Sequence, residues 1–157
     1  MKRQGGFTLI EMVVVIVILG ILAVTAAPRF LNLQDDARNS SLQGLKGAID
    51  GAAGITFGKA AIQGKEAADS GQAVEGIALV YGYPAATSAA LEAAVNGLKE
   101  DWKVVATDNL VEGEDEGIAY TFKARNDEGC YVHYKAATSS AAATTKVVTG
   151  NGCITSN

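Results

Sequence analysis

A run of apolar residues near the N-terminus constrains this chain more than any other feature of its sequence. From Phe7 to Pro28 there are 22 residues without a lysine or an arginine. As a helix this run would be about 33 Å long, enough to cross the hydrocarbon core of a bilayer. One acid, Glu11, lies inside it. Because a carboxylate there costs about 2.5–3.5 kcal/mol on insertion into lipid, we expect another interaction to compensate for its charge.

Three interpretations of this run compete. A cleaved secretory signal has its small-residue site after the apolar region, whereas Gly5 and Gly6 precede it here. A plain membrane anchor leaves Glu11 unexplained. An assembly helix explains it, because cutting after Gly6 would put the positive α-amine of Phe7 near the Glu11 carboxylate of a neighbouring copy. Such a pair would set the stagger between copies, so the sequence favours the assembly helix.

The segment from Gly6 to Glu11 (GFTLIE) resembles the processing site of type IV pilins and of their pseudopilin relatives. The shared features are a short charged leader, glycine at the cut, phenylalanine after it and glutamate four residues later. The resemblance implies that a prepilin peptidase cleaves between Gly6 and Phe7 and N-methylates Phe7, and that Glu11 registers subunits during assembly. Met12 stands where leucine is usual, which exchanges one apolar side chain for another.

Three segments together look like the major pilins of the mannose-sensitive haemagglutinin (MSHA) type, a type IVa subfamily: Phe7–Phe30, Gln43–Ile49 and Tyr81–Thr87. The resemblance implies a major structural subunit that polymerises into a helical type IV pilus fibre for surface attachment and adhesion. Its partners would be other copies of the chain, minor pilins, an inner-membrane assembly platform and, before assembly, inner-membrane lipid with the head in the periplasm. Surface glycans are candidate ligands of the extracellular fibre.

Two other structural roles stay open. A pseudopilin of a type II secretion system would form a short periplasmic piston. The acids at Glu112 to Glu116 favour it weakly, because such oxygen ligands hold calcium in some major pseudopilins, although the spacing is not that of an EF-hand and a solvated turn is the simpler explanation. A minor pilin at the fibre tip is the second alternative, and Glu11 argues against an initiator, which often lacks this acid.

We divide the chain into a leader (residues 1–6), an apolar half-helix (7–28) and one globular head (29–157). The expected fold class is α+β, the type IV pilin fold, in which a long bent N-terminal helix packs on an antiparallel sheet of about four strands. Gly20 and Pro28 each weaken helical bonding, so the stretch between them either unwinds in the fibre, as the resemblance implies, or simply kinks at the proline.

The long helix is predicted from about Phe7 to Lys59, with an amphipathic second half. Its apolar face has a spacing of three to four residues and comprises Leu42, Leu45, Ile49, Ala52, Thr56 and Ala60. Five glycines form a second stripe: Gly44, Gly47, Gly51, Gly54 and Gly58. We expect the glycine stripe to lie close against a sheet or another helix, where a Cβ atom would clash. The alternative is that packing elsewhere tolerates a low helix propensity.

Beyond residue 101 the pattern of apolar residues changes from the period of a helix to that of a strand. Segments rich in valine, tyrosine and threonine predict strands at 102–107, 118–125, 130–135 and 144–149. A turn is expected at 126–129 and an exposed loop at 138–145. Before the strands, the spacing predicts a helix over about 89–100, preceded by a short extended piece at 76–84 that Pro84 ends.

The two cysteines, Cys130 and Cys153, can keep a disulfide if the head lies outside the cytoplasm. Closing this loop would contribute roughly 3 kcal/mol in the chain-entropy model. The alternative is two free buried thiols. A C-terminal disulfide loop also resembles the D-region of type IVa pilins, whereas major pseudopilins usually lack one.

The sequence shows no catalytic constellation, and we expect no enzyme activity, cofactor or metal. His133, the only histidine, is expected on the surface or half-buried in a strand. Four tyrosines could stack on sugars or pack in the sheet: Tyr81, Tyr83, Tyr131 and Tyr134. The formal net charge is −4, and loss of Lys2 and Arg3 with the leader would make it −6, which argues against nucleic acid as the main partner.

Overall fold

The apolar run and the amphipathic stretch form one helix in the computed structural model, which describes residues 6–106, 110, 116–123 and 129–153. This helix, α1, spans Leu9–Ile62 without interruption, so its predicted ends were wrong by two or three residues. In the single chain α1 is helical from Gly20 to Pro28. Unwinding of that stretch therefore stays a prediction for the fibre.

Two antiparallel sheets follow α1 along the chain. The first has the order β1 (Gln72–Val74), β2 (Ile77–Val80) and β3 (Tyr83–Pro84). The second has the order β4 (Trp102–Val104), β5 (Ile118–Phe122), β6 (Cys130–Lys135) and β7 (Thr144–Thr149). Two short helices, α2 (Ser88–Ala94) and α3 (Leu98–Asp101), connect the sheets, and a 3₁₀ turn spans Asn151–Cys153. A long N-terminal helix with antiparallel sheets confirms the predicted α+β fold class.

The main core lies between the second half of α1 and one face of β6. Leu42 and Ile49 on the helix are fully buried, as are Val132 and Tyr134 on the strand. The predicted apolar face of α1 is confirmed except at one position, since Ala53 is buried where Ala52 is only half-buried. The Tyr134 hydroxyl donates a hydrogen bond of 2.7 Å to the carbonyl oxygen of Pro84, which links the two sheets.

The opposite face of β6 is covered as well, which the sequence did not indicate. His133 lies in a strand as predicted but is only 4% exposed, so its predicted position at the surface or half-buried was wrong. Tyr131, on the same face, is fully buried in a small cluster with Val105 and Ala119. Because β6 lies between β5 and β7 and is covered on both faces, five of its six residues are buried.

The segment between the sheets differs from its prediction in two ways. The single helix expected over 89–100 is broken, because Gly97 adopts a left-handed φ of 80° between α2 and α3. The expected extended piece over 76–84 is two strands of a three-stranded meander whose first strand, β1, was missed. The strands β6 and β7 have their predicted bounds, whereas β4 ends at Val104 and β5 at Phe122. The last residues predicted for these two strands, 107 and 124–125, lie outside the described residues. Of the turn expected at 126–129, only Gly129 is described.

The glycine stripe of α1 points away from the sheet, so the expectation of a close contact was wrong. All five glycines are exposed, and a Cβ atom added at any of them would meet no other atom within 4 Å. At about 100° per residue the stripe lies on the side of α1 opposite Leu42 and Ile49. Spacing alone shows that residues share a face, and it does not show which face is packed.

We predict that Gly51→Ala stabilises the head by up to about 1 kcal/mol, because alanine is a better helix former and the site is open. Gly82→Ala should destabilise it by about 1–3 kcal/mol. Gly82 has a φ of 78°, and its Cβ would lie 2.9 Å from the Phe57 ring. The measurement is thermal unfolding of the full chain in detergent, followed by the fluorescence of Trp102. A loss of stability in Gly51→Ala would show that the exposed glycine is needed by the folded head.

Candidate assembly site

Glu11 caps the helix in which it lies. Thr8 is the N-cap residue of α1, and its backbone N–H and its hydroxyl donate to the same Glu11 oxygen, Oε2, at 2.7 and 2.6 Å. In return the Glu11 N–H donates to the Thr8 hydroxyl oxygen at 3.3 Å. This reciprocal capping box satisfies orphan donors at the helix end and gives the carboxylate two hydrogen bonds. The cation that would balance its charge is missing from the part of the chain that the structure describes.

The proposed cleavage point lies outside the helix. Gly6 and Phe7 precede the N-cap, and 82% of the Phe7 surface is exposed. A peptidase needs an accessible, non-helical backbone, and the bond between these two residues meets that condition in the single chain. The backbone at Gly6 and Phe7 is thus compatible with cleavage between them, and the cleavage itself stays a prediction.

The first half of α1 has no partner within the described chain. Its segment Leu9–Ala26 has a mean hydropathy of 2.8, and none of it is buried, so by length and composition it could cross a membrane. At Gly20 the surface is notched, because the glycine leaves a shallow groove between Val17 and Val24. The exposed large apolar side chains of this half are Leu9, Ile10, Met12, Val13, Val14, Val15, Ile16, Val17, Ile18, Leu19, Ile21, Leu22 and Val24.

The two cysteines lie in the C-terminal part of the sequence and are joined by a disulfide. Cys130 at the start of β6 bonds to Cys153 in the 3₁₀ turn, with the Cα atoms 5.1 Å apart. Both are buried against the main core. The bond therefore fixes the C-terminal segment to the sheet that packs on α1.

The acidic run proposed as a calcium site lies outside the described residues except for Glu116. The Glu116 carboxylate pairs with the Lys135 ammonium at 2.7 Å. Hydrogen bonding and charge from Lys135 lower the pKa of Glu116 below its usual value. Within the described ranges no group of three or more histidine, cysteine or acidic residues could hold a metal ion.

Sequence reasoning identified Glu11 and missed Thr8. The signal was present, because threonine followed three residues later by glutamate before an apolar run is the pattern of a capping box. It was overlooked because the carboxylate was considered only as the partner of a second copy. The structure adds that Glu11 already has partners in the single chain.

Residues 1–27 match the family model of the prokaryotic N-terminal methylation motif. The chain is 45% identical over 53 residues to the type IV narrow pilus major component PilA5 of Thermus thermophilus, covering 34% of this chain and 46% of that one. It is also 46% identical over 54 residues to the type II secretion system core protein G of Klebsiella pneumoniae, covering 32% and 39% of the two chains. No solved structure matches the chain significantly.

The core protein G of Pseudomonas aeruginosa is 46% identical over 43 residues, or 27% of this chain and 30% of that one. The matches thus span less than half the length of each of these curated relatives. They support an N-terminal region shared by type IV pilins and type II secretion pseudopilins. A specific likeness to the MSHA type is not among them.

Removing the Thr8 hydroxyl should loosen the first turn of α1. We predict that Thr8→Ala costs about 1 kcal/mol of helix stability at this end, since it deletes the side-chain cap. Hydrogen exchange of the amides of residues 9–12, in the full chain in micelles, measures the effect. Thr25→Ala is the matched control, because the Thr25 hydroxyl only donates back to helix carbonyls. Equal exchange in both variants would show that the capping box does not form in solution.

Proposed function

We propose that this chain is the major structural subunit of a type IV pilus, a fibre that serves in surface attachment and adhesion. The proposal rests on the first half of α1, whose apolar surface is exposed in the described chain and carries one acid, Glu11, near its N-terminal end. The methylation motif and the similarity to a type IV pilus component support the same role. The likeness of three segments to MSHA-type major pilins gives the narrower proposal within the type IVa group.

Assembly would bury these apolar half-helices against one another in the fibre core. Each large side chain removed from water contributes about 1.5–3 kcal/mol. The net gain is much smaller, because the subunit starts in lipid, which is as apolar as the fibre core. Packing and polar contacts, rather than burial from water, must therefore decide the geometry of the fibre.

Glu11 is the polar contact that would set this geometry. Its Oε2 atom is occupied by the two Thr8 donors, whereas Oε1 accepts no hydrogen bond from any described residue. The methylated α-amine of Phe7 from a neighbouring copy would add the missing positive charge at this oxygen. Charge-assisted hydrogen bonds contribute about 1.5–3 kcal/mol, enough to favour one stagger of neighbouring copies over others.

The proposal implies a defined route for the chain. A prepilin peptidase removes residues 1–6 and methylates Phe7, and the mature chain waits as a single-pass inner-membrane protein with its head in the periplasm. An inner-membrane platform and minor pilins then build it into the extracellular fibre. The disulfide between Cys130 and Cys153 fits a head that folds outside the cytoplasm.

A second candidate function is the pseudopilin of a type II secretion system. The sequence identity to the core protein G of two bacteria favours it. These matches extend over 54 and 43 residues, similar to the 53 residues matched by the pilus component. A pseudopilin would share the proposed processing and the role of Glu11. It would differ in staying within the cell envelope.

The two functions predict different places for the mature chain. Filaments sheared from the cell surface should contain it as a dominant species that begins at methylated Phe7. Without reductant its mass should be two hydrogens lower than that of the reduced chain, because of the disulfide. Intact mass spectrometry measures both. Absence of the chain from the sheared fraction, with the same mature species in the envelope, would favour the pseudopilin.

Replacing Glu11 tests the registration argument. We predict that Glu11→Gln keeps the acceptor for Thr8 and the cleavage after Gly6, but lowers the yield of sheared filaments by at least about tenfold, since the ion pair is lost. Glu100→Ala, which removes an exposed acid of the head, is the control and should leave the yield unchanged. Normal filament yield from Glu11→Gln would contradict a role for the charge.

A further inference from the structure

The dipeptide Asn-Gly occurs twice in the chain, at Asn96-Gly97 and at Asn151-Gly152. Asparagine is chemically least durable before glycine, because a residue without a side chain leaves its backbone nitrogen unshielded. When that nitrogen attacks the amide carbon of the asparagine side chain, a succinimide ring forms and ammonia leaves. Water then opens the ring at either carbonyl, which gives aspartate or isoaspartate. The two sites are equal candidates by sequence, so any difference between them comes from the fold.

Asn96 and Gly97 are the two central residues of a tight turn between α2 and α3. A hydrogen bond from the Leu98 N–H to the carbonyl oxygen of Val95 closes the turn, and at 3.5 Å this bond is long. Gly97 has a φ of 80° and a ψ of 0°, as the third residue of a type II turn requires. The fold therefore needs glycine here, and the vulnerable dipeptide comes with the turn.

The reacting groups of this turn are accessible. Asn96 and Gly97 are both exposed, so water can reach the amide and the ring. The Gly97 N–H donates to no described residue, and the Asn96 side chain has no hydrogen-bond partner among the described residues either. Apart from the long closing bond, no interaction has to break before the Gly97 nitrogen can turn towards the side chain.

The second site is held more firmly by its surroundings. Asn151 and Gly152 belong to the 3₁₀ turn, whose last residue, Cys153, forms the disulfide. The Cys153 N–H donates to the carbonyl oxygen of Gly150 at 3.0 Å, and Cys153 is only 2% exposed. Because succinimide formation rotates the backbone at the asparagine, it would pull here against a buried cross-link.

We propose that Asn96 is a site of spontaneous modification, at which the Gly97 nitrogen displaces ammonia and water then yields aspartate and isoaspartate. Isoaspartate routes the backbone through the former side chain and lengthens it by one carbon–carbon bond, about 1.5 Å. The residues on either side, Val95 and Leu98, are 6% and 1% exposed and belong to the main core. A longer backbone between them cannot keep both in place, so isoaspartate destabilises the head. The reaction is a property of the head and does not depend on the proposed function.

The test is a long incubation of the full chain in detergent, at mildly alkaline pH and body temperature. Peptide mass spectrometry follows the exchange of the amide nitrogen for oxygen, and enzymatic methylation of isoaspartate identifies that product. Asn96 should convert at least about tenfold faster than Asn151, which is the matched control within the same chain. In guanidinium chloride with the disulfide reduced, the two sites should convert at similar rates.

Three outcomes would overturn the proposal. The first is that both sites convert equally fast in the folded chain. The second is that Asn96 survives in the folded chain while it reacts in the unfolded one. The third is that the preference for Asn96 persists after unfolding, because its cause would then lie in the neighbouring sequence and not in the turn.

Two variants separate the longer backbone from the new charge. Freshly prepared Asn96→Asp carries the same carboxylate on a backbone of normal length, and it should unfold at the temperature of the fresh wild type. The aged wild type should unfold a few degrees lower, as followed by the fluorescence of Trp102. Asn96→Gln would have to close a larger ring, so it should keep its unfolding temperature over the same incubation. An aged wild type that unfolds like Asn96→Asp would show that the core tolerates the longer backbone and would refute the destabilisation.

Discussion

The packing of the second half of α1 on strand β6 is the contact on which the rest of the molecule depends. Leu42 and Ile49 belong to one buried cluster with Val132 and Tyr134, and all four are fully buried. The remaining strands, the disulfide and the first sheet are arranged around this contact. Because only this half of α1 is covered, the apolar side chains of the other half stay exposed in the single chain. One helix thus connects a folded head to an apolar surface that can pack against other copies or lipid.

Much of this architecture could be predicted from the sequence, and the failures share a cause. The periodic segments gave α1, β6 and β7 nearly at their observed bounds, since apolar spacing directly reflects which residues share a face. Spacing does not identify the covering partner. The glycine stripe was therefore placed against a sheet or another helix although it is exposed in the single chain. His133 was likewise expected at the surface or half-buried although β6 is covered on both faces.

The candidate site was easier to find than to describe. One acid in a long apolar run is conspicuous, so Glu11 could be identified without a structure. Its hydrogen bonds to Thr8 depend on where the helix begins, and the sequence analysis set that start one residue before Thr8 rather than one after it. The turn at Tyr81 and Gly82, where both residues have positive φ angles, could not be predicted, because it follows from the pairing of β2 with β3 around these two residues.

The capping box also bears on how long a subunit can persist outside a fibre. A carboxylate that is already bonded to Thr8 does not need a neighbour to be tolerated near the edge of a bilayer. Subunits could therefore accumulate in lipid as a stable reservoir. A subunit leaving the polymer would keep the same two hydrogen bonds, so only the bond between Oε1 and the amine of its neighbour would have to break.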